Sequence, residues 1–156
     1  MAPLYRRWAS GGDVAFHYVS GSPWQLYPFL ADLIQRDGFP RGSFDLREFR
    51  LKDSSGVEFL ENRTLEYKLG VIERLMRAFP RRQFVLVGDS GEKDPEVYAQ
   101  IATRFPAQVS AILIRDVTGE SLESPRFTRL YEGLATPIQR RVFRDTAELA
   151  DFTPSR

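Results

Sequence analysis

The chain has 156 residues, enough for a domain with a sizeable core. Apolar residues make up 42% and charged residues 28%, an ordinary globular mix. The absence of cysteine excludes disulfides and thiolate metal sites, and a cytoplasmic setting fits it. A net charge of +1 gives no drive toward nucleic acid. The basic residues are mostly arginine, with Lys52, Lys68 and Lys93 as the lysines, a pattern of genomic composition bias more than of a binding surface.

Residues 1–10 (MAPLYRRWAS) hold no apolar run of signal-peptide length. Nowhere do the roughly 18 consecutive apolar residues of a membrane-spanning helix occur. Leu4, Tyr5 and Trp8 form one helical stripe, so the sequence enters on a helix where an α/β domain ordinarily opens on a strand. Residues 15–19 (AFHYV) predict a buried strand. Ser20-Gly21-Ser22-Pro23 breaks it, with Ser22 suited to a helix N-cap and Pro23 to the first helical position. Trp24, Tyr27, Leu30, Ala31 and Ile34 follow at helical spacing, and Asp37-Gly38 ends that helix. Residues 43–47 predict a second strand, followed by a polar, poorly patterned loop.

The clearest helix covers residues 64–79, with Leu65, Leu69, Ile72, Leu75 and Met76 on one face and Pro80 stopping it. Residues 84–87 (FVLV) are the next strand, and Pro95 opens a helix containing Val97, Ile101 and Phe105. Residues 109–114 predict a strand, residues 118–125 a loop, Val142-Phe143 a late strand, and residues 146–150 a short last helix. Alternation of this kind predicts an α/β fold with a mostly parallel sheet and helices on both faces, a single domain over residues 1–152 and a loose tail at 153–156. Ligands in such sheets sit at the carboxyl ends of strands. The polar residues to weigh are therefore Ser20, Ser22, Arg47, residues 89–94, Arg115 and Asp116.

Gly88-Asp89-Ser90-Gly91-Glu92-Lys93-Asp94-Pro95 is the strongest constellation. Two carboxylates on a tight loop at a strand end suit magnesium, which takes hard oxygen ligands and keeps several waters. Spacing equally allows Asp89 as a turn former and Asp94 as the N-cap before Pro95. The serine-protease string hidden in Gly88-Asp89-Ser90-Gly91 needs an all-β fold and a histidine base; here the sole histidine, His17, lies inside a strand, where it reads as a packed residue. Ser20 and Ser22 meet a helix N-terminus, a place that either binds phosphate or is simply capped. Lys68 falls on or beside the apolar helix face, where it either snorkels to water or faces a phosphate. Arg81-Arg82 and Arg140-Arg141 read as solvated pairs, with an anionic lipid surface as the alternative.

Several longer strings resemble a known family. They are Phe16-His17-Tyr18-Val19-Ser20-Gly21-Ser22-Pro23-Trp24-Gln25-Leu26-Tyr27, then Gly38-Phe39-Pro40-Arg41-Gly42, then residues 84–96, then Ile114-Arg115-Asp116-Val117. In that order they resemble the catalytic domain of the actin-patch phosphatidate phosphatases, in the haloacid dehalogenase superfamily. The resemblance covers residues 5–117 and implies a Rossmann-like three-layer sandwich that hydrolyses phosphatidate to diacylglycerol with magnesium (Mg2+). Many bacterial relatives have unassigned substrates. It also implies roles. Ser20 matches the hydroxyl that bonds the transferring phosphoryl group. Lys68 matches the lysine that neutralises phosphate and nucleophile, although Tyr67 stands where the family often has histidine. Asp89 and Asp94 match the acidic pair that holds magnesium.

One departure is large. The superfamily's nucleophile is the first aspartate of an Asp-x-Asp-x-Thr segment that follows the first strand, and it forms an aspartyl-phosphate. Before Ser20 this sequence has Asp13 alone, with Ala15 two residues on. The resemblance places the missing strand centrally, between those at residues 15–19 and 84–87. Without it these two strands either pair directly or leave a gap for another segment to fill. The expectation is therefore a chain inactive by itself: a truncated reading of a longer phosphatase, or a non-catalytic phosphate- or lipid-binding remnant. Its partners would be a phosphorylated substrate, at a membrane surface if phosphatidate, and a strand-donating partner or a second copy.

Overall fold

A computed structural model describes residues 1–48, 57–135 and 137–154, with the backbone alone for residues 57–62. The chain divides into two compact units, Met1–Val71 and Ile72–Arg156. Its class is α/β, and among the described residues all the strand pairs are parallel.

In the first unit, helix α1 (Ala2–Ser10) buries Ala2, Leu4 and Trp8. Tyr5 is half-buried and packs its ring on Trp8, Phe16 and Phe39, with centroids 5.5, 5.4 and 5.7 Å away. Strand β1 (Phe16–Pro23) pairs with β2 (Gly42–Arg47) from Phe16↔Gly42 to Ser20↔Leu46. The register then shifts, and Pro23 pairs with Arg47. The Tyr18 ring packs tilted against Phe44 at 5.2 Å, and its hydroxyl donates to the Pro40 carbonyl at 2.7 Å. His17 is a strand residue as expected, its Nδ1 2.7 Å from Ser43 Oγ. An aromatic cluster thus supplies the core that a two-stranded sheet cannot supply by itself.

Between the strands lie a 3-10 turn (Trp24–Leu26) and helix α2 (Tyr27–Arg36). The predicted cap is corrected here. Pro23 keeps extended backbone (φ −57°, ψ 139°) and stays in β1, while Ser22 caps no helix. Pro28, not Pro23, takes the first turn of α2. A proline's fixed φ serves either role, so the string alone does not choose. No residue of α2 is buried, and Trp24 and Tyr27 are exposed.

Helix α3 (Val57–Ala78) starts earlier than the sequence suggests, so its first turns occupy the end of the expected loop. The rest of that loop lies outside the described residues.

The second unit holds a parallel sheet in the order β3 (Phe84–Asp89), β4 (Val109–Arg115), β5 (Gln139–Phe143). The central strand buries Ala111, Ile112, Leu113 and Ile114 in succession, as expected where both faces are covered. Helix α4 (Asp94–Arg104) links β3 to β4, and α5 (Pro125–Tyr131) links β4 to β5. Both crossovers advance in the same direction, so right-handed connections lay both helices on one face. Arg126 of α5 indeed reaches Glu96 of α4. Helix α5 overturns the predicted loop at its end: Ser124 takes the N-cap position, Pro125 the first turn, and Phe127 and Tyr131 are buried. A last 3-10 turn (Thr146–Leu149) has a capping box from Asp145 and Glu148.

The strands therefore form two sheets, β1-β2 and β3-β4-β5. Among the described residues β1 and β3 neither pair directly nor share an intervening strand. Arg140 and Arg141 are not merely solvated. Arg140 donates to the Tyr131 carbonyl at 3.3 Å, and Arg141 grips Asp151 through two 2.7 Å bonds.

Candidate active site

The loop after β3 is the most constrained polar segment of the second unit. Asp89 Oδ1 accepts from the backbone N–H groups of Gly91 and Glu92 at 2.9 and 3.2 Å, closing the turn. Asp94 is not the helix cap that its place before Pro95 suggests. Lys93 is the cap residue, and Asp94 is the first helical residue. The Asp94 side chain points back instead, and Oδ2 accepts the Asp89 N–H at 3.2 Å. Asp94 is 6% exposed. A buried carboxylate is costly unless compensated. The α4 N-terminus and the Asp89 N–H both contribute compensation.

Gly88 makes that position possible. A Cβ there would lie 2.6 and 2.7 Å from Asp94 Cβ and Cγ and would collide with Oδ2. Tyr98 of α4 fixes the same strand end by donating to the Val87 carbonyl at 2.8 Å.

Under the loop, Ser90 is 1% exposed and acts as a hub. Its Oγ accepts from Val117 N–H at 2.9 Å and from Thr118 Oγ1 at 2.8 Å. Asp116 Oδ1 gathers the N–H groups of Thr118, Gly119 and Glu120 at 3.1, 2.7 and 3.0 Å, and Arg144 donates to Oδ2 at 2.9 Å. Arg144 first, then these backbone bonds, bring the Asp116 carboxyl down to about 2 against the opposing effect of burial. The Asp116 carboxylate thereby tethers two loops.

Arg126 completes the scaffold from α5. Its guanidinium donates to the carbonyls of Ser90 and Glu92 at 2.8 and 3.0 Å. It also engages both carboxylate oxygens of Glu96 at 2.9 Å and Glu120 at 3.0 Å. Glu96 chiefly, then Glu120, holds its pKa above the ordinary arginine value. The sequence reading missed this residue because it missed α5. The signal was present in Ser124-Pro125, followed by Phe127, Leu130 and Tyr131 at helical spacing.

In the first unit, the register shift after Ser20 leaves Gly21 and Ser22 between paired residues. Ser20 Oγ accepts the Ser22 N–H at 3.1 Å and donates to Ser22 Oγ at 3.0 Å. Gly21 sits hard against α3, where a Cβ would be 2.6 Å from Thr64 Cγ2. Arg47, buried at the end of β2, donates to Thr64 Oγ1 at 3.3 Å. Lys68 follows Thr64 by one helical turn and is 6% exposed, so it is buried and does not snorkel. The structure thus brings Asp89 and Asp94 together in one unit. In the other, Ser20 and Lys68 are related through the packing of Gly21 on Thr64.

Asp89 and Asp94 are hard oxygen donors of the kind magnesium takes, and each carboxylate keeps acceptor capacity beyond the bonds described. Among the described residues no group of three or more histidine or acidic side chains is placed to hold a metal. A two-carboxylate set fits magnesium, which fills its remaining positions with water and substrate oxygens.

Residues 1–116 match the family described as phosphatidate phosphatase APP1, catalytic domain. The chain belongs to that family. It is 36% identical over 115 residues to the phosphatidate phosphatase APP1 of Saccharomyces cerevisiae, covering 72% of this chain and 19% of that protein. It is 37% identical over 109 residues to an uncharacterized protein of Schizosaccharomyces pombe, covering 69% of this chain and 17% of that one. The chain therefore spans less than a fifth of the length of these two relatives. No solved structure matches. Among the described residues no helix is long and apolar enough to cross a membrane.

Proposed function

We propose that this chain carries the magnesium- and phosphate-binding part of a phosphatidate phosphatase domain, and that residues 1–156 by themselves bind without efficient turnover. The observation that carries the reading is the β3–α4 loop, where Asp94 folds back onto the Asp89 N–H across a glycine that leaves it room. Asp89 and Asp94 would hold the ion, with Arg126 positioning the loop through its carbonyls. Bound magnesium supplies charge neutralisation of a phosphoryl group. Within the first unit, Ser20 Oγ would donate to a phosphate oxygen in place of Ser22 Oγ, and Lys68 would bring a positive charge. Supply of the nucleophile is the missing step. No Asp-x-Asp-x-Thr segment occurs in residues 1–156.

Calorimetric titration with magnesium tests the metal assignment. The expected result is saturable binding that Asp89→Asn abolishes while the variant keeps its secondary structure. Binding that survives Asp89→Asn unchanged, or no binding by the parent chain, would overturn it.

A further inference from the structure

We propose that Arg115 is the anion contact of the second unit, its guanidinium taking a phosphate oxygen of the ligand bound at the Asp89–Asp94 site. Strand β4 buries Ile114 completely and then brings Arg115 out as an exposed residue at the carboxyl end of the sheet. Arg115 and Asp89 are register partners in the parallel β3–β4 pair. Such partners carry their side chains on the same face, on strands about 4.8 Å apart. The backbone of Arg115 is held from both sides. Its carbonyl accepts the Ser90 N–H at 2.9 Å. On the other flank it registers with Phe143, whose carbonyl accepts the Asp116 N–H at 2.7 Å. The root of the side chain is therefore fixed against the loop of Asp89, and only its own rotamers stay open.

Charge separates Arg115 from the other arginines around this loop. Arg126 is matched by Glu96 and Glu120, and Arg144 by Asp116. Among the described residues Arg115 has no such carboxylate. Opposite charges this close ordinarily pair. Here Asp89 Oδ1 is turned into its own loop, onto the N–H groups of Gly91 and Glu92. Asp89 and Asp94 together cancel the charge of one magnesium ion, and Glu92 and Lys93 offset each other. Arg115 thus leaves the loaded site positive. A guanidinium in that place is unfavourable until an anion arrives. The group that answers both is an oxyanion with several oxygens, one for the ion and others for the guanidinium. Phosphate, free or as a monoester, has that form, and guanidinium binds it through charge-assisted, forked hydrogen bonds. A neutral ligand would gain nothing from Arg115. The inference rests on the magnesium reading above and names what the same site grips on its ligand.

Calorimetry tests it in two steps: magnesium titration, then titration of the magnesium-loaded chain with inorganic phosphate. The parent should bind phosphate, and Arg115→Gln should weaken that binding by about tenfold or more. The same variant should hold magnesium as tightly as the parent or more tightly, because it removes a positive charge from the ion's surroundings. Arg115→Lys keeps the charge without the fork and should fall between. Arg81→Gln makes the same change of charge just ahead of β3, at the opposite edge of the sheet, and should leave both affinities as they are. Arg115 is exposed, so its variants should keep the circular dichroism of the parent. A water-soluble short-chain phosphatidate in place of inorganic phosphate should show the same loss, and whichever the parent holds more tightly identifies the source of the phosphate. A loss confined to the ester would overturn the contact with phosphate. No phosphate binding by the magnesium-loaded parent, equal phosphate affinity in the parent and Arg115→Gln, or an equal loss in Arg81→Gln would overturn the proposal and leave the magnesium reading standing. No magnesium binding by the parent would overturn that reading and this inference with it.

Discussion

A methyl group at position 88 would land on Asp94, and that single steric fact separates the loop from an ordinary aspartate-rich turn. Asp89 does form the turn that its residue type favours. Asp94 does not cap, because Lys93 occupies the cap position and the carboxylate is drawn back to the Asp89 N–H. The residue types were legible from sequence, but the direction of the Asp94 side chain was not, since one rotamer separates a cap from a back-bonded carboxylate. Elsewhere in the unit a residue works against its surroundings. The Tyr131 hydroxyl is buried, and among the described residues it has no hydrogen-bond partner. Burial, the largest influence, raises its pKa. An unsatisfied buried hydroxyl costs about 1–3 kcal/mol, whereas its ring keeps packing on Phe127 at 5.6 Å. Tyr131→Phe is therefore expected to stabilise the chain by about 1 kcal/mol in urea unfolding; a loss of stability would contradict this.

Helix α5 is the element on which the loop depends, and it is the one the sequence reading passed over. Its seven residues are too few for a persistent hydrophobic period, and the preceding polar stretch extends the appearance of loop into it. Arg126 turns that short helix into a clamp on two loop carbonyls and two carboxylates. Arg126→Ala should destabilise the chain by about 2 kcal/mol. It should also weaken magnesium binding about tenfold, the usual scale for a group that orients metal ligands without touching the metal. Arg126→Lys should not restore binding in calorimetry, because one ammonium cannot span the same acceptors. Full affinity in both variants would remove Arg126 from the account. Helix α2 teaches a related lesson. Trp24, Tyr27, Leu30, Ala31 and Ile34 do have helical spacing, but the helix begins at Tyr27 and leaves Trp24 outside it. Period reports the helix; it cannot report that a further apolar face looks outward.

At the scale of the whole chain, the parallel α/β class was readable because β4 is a run of buried aliphatics and prolines mark the starts of helices. The division into two sheets was not readable, since strand partners are chosen by contacts remote in sequence. The four residues named from the resemblance divide likewise: Ser20 and Lys68 belong to the first unit, Asp89 and Asp94 to the second. Family membership rests on residues 1–116, whereas α5 and its Arg126 clamp lie beyond that stretch. The central claim is that these residues bind the ion and the phosphate but lack the group that attacks phosphorus. Phosphate release from phosphatidate in detergent micelles, with magnesium and the purified 156-residue chain, tests it most directly. The account predicts release no faster than from micelles with magnesium alone. Sustained release well above that background, abolished by Asp89→Asn, would contradict it.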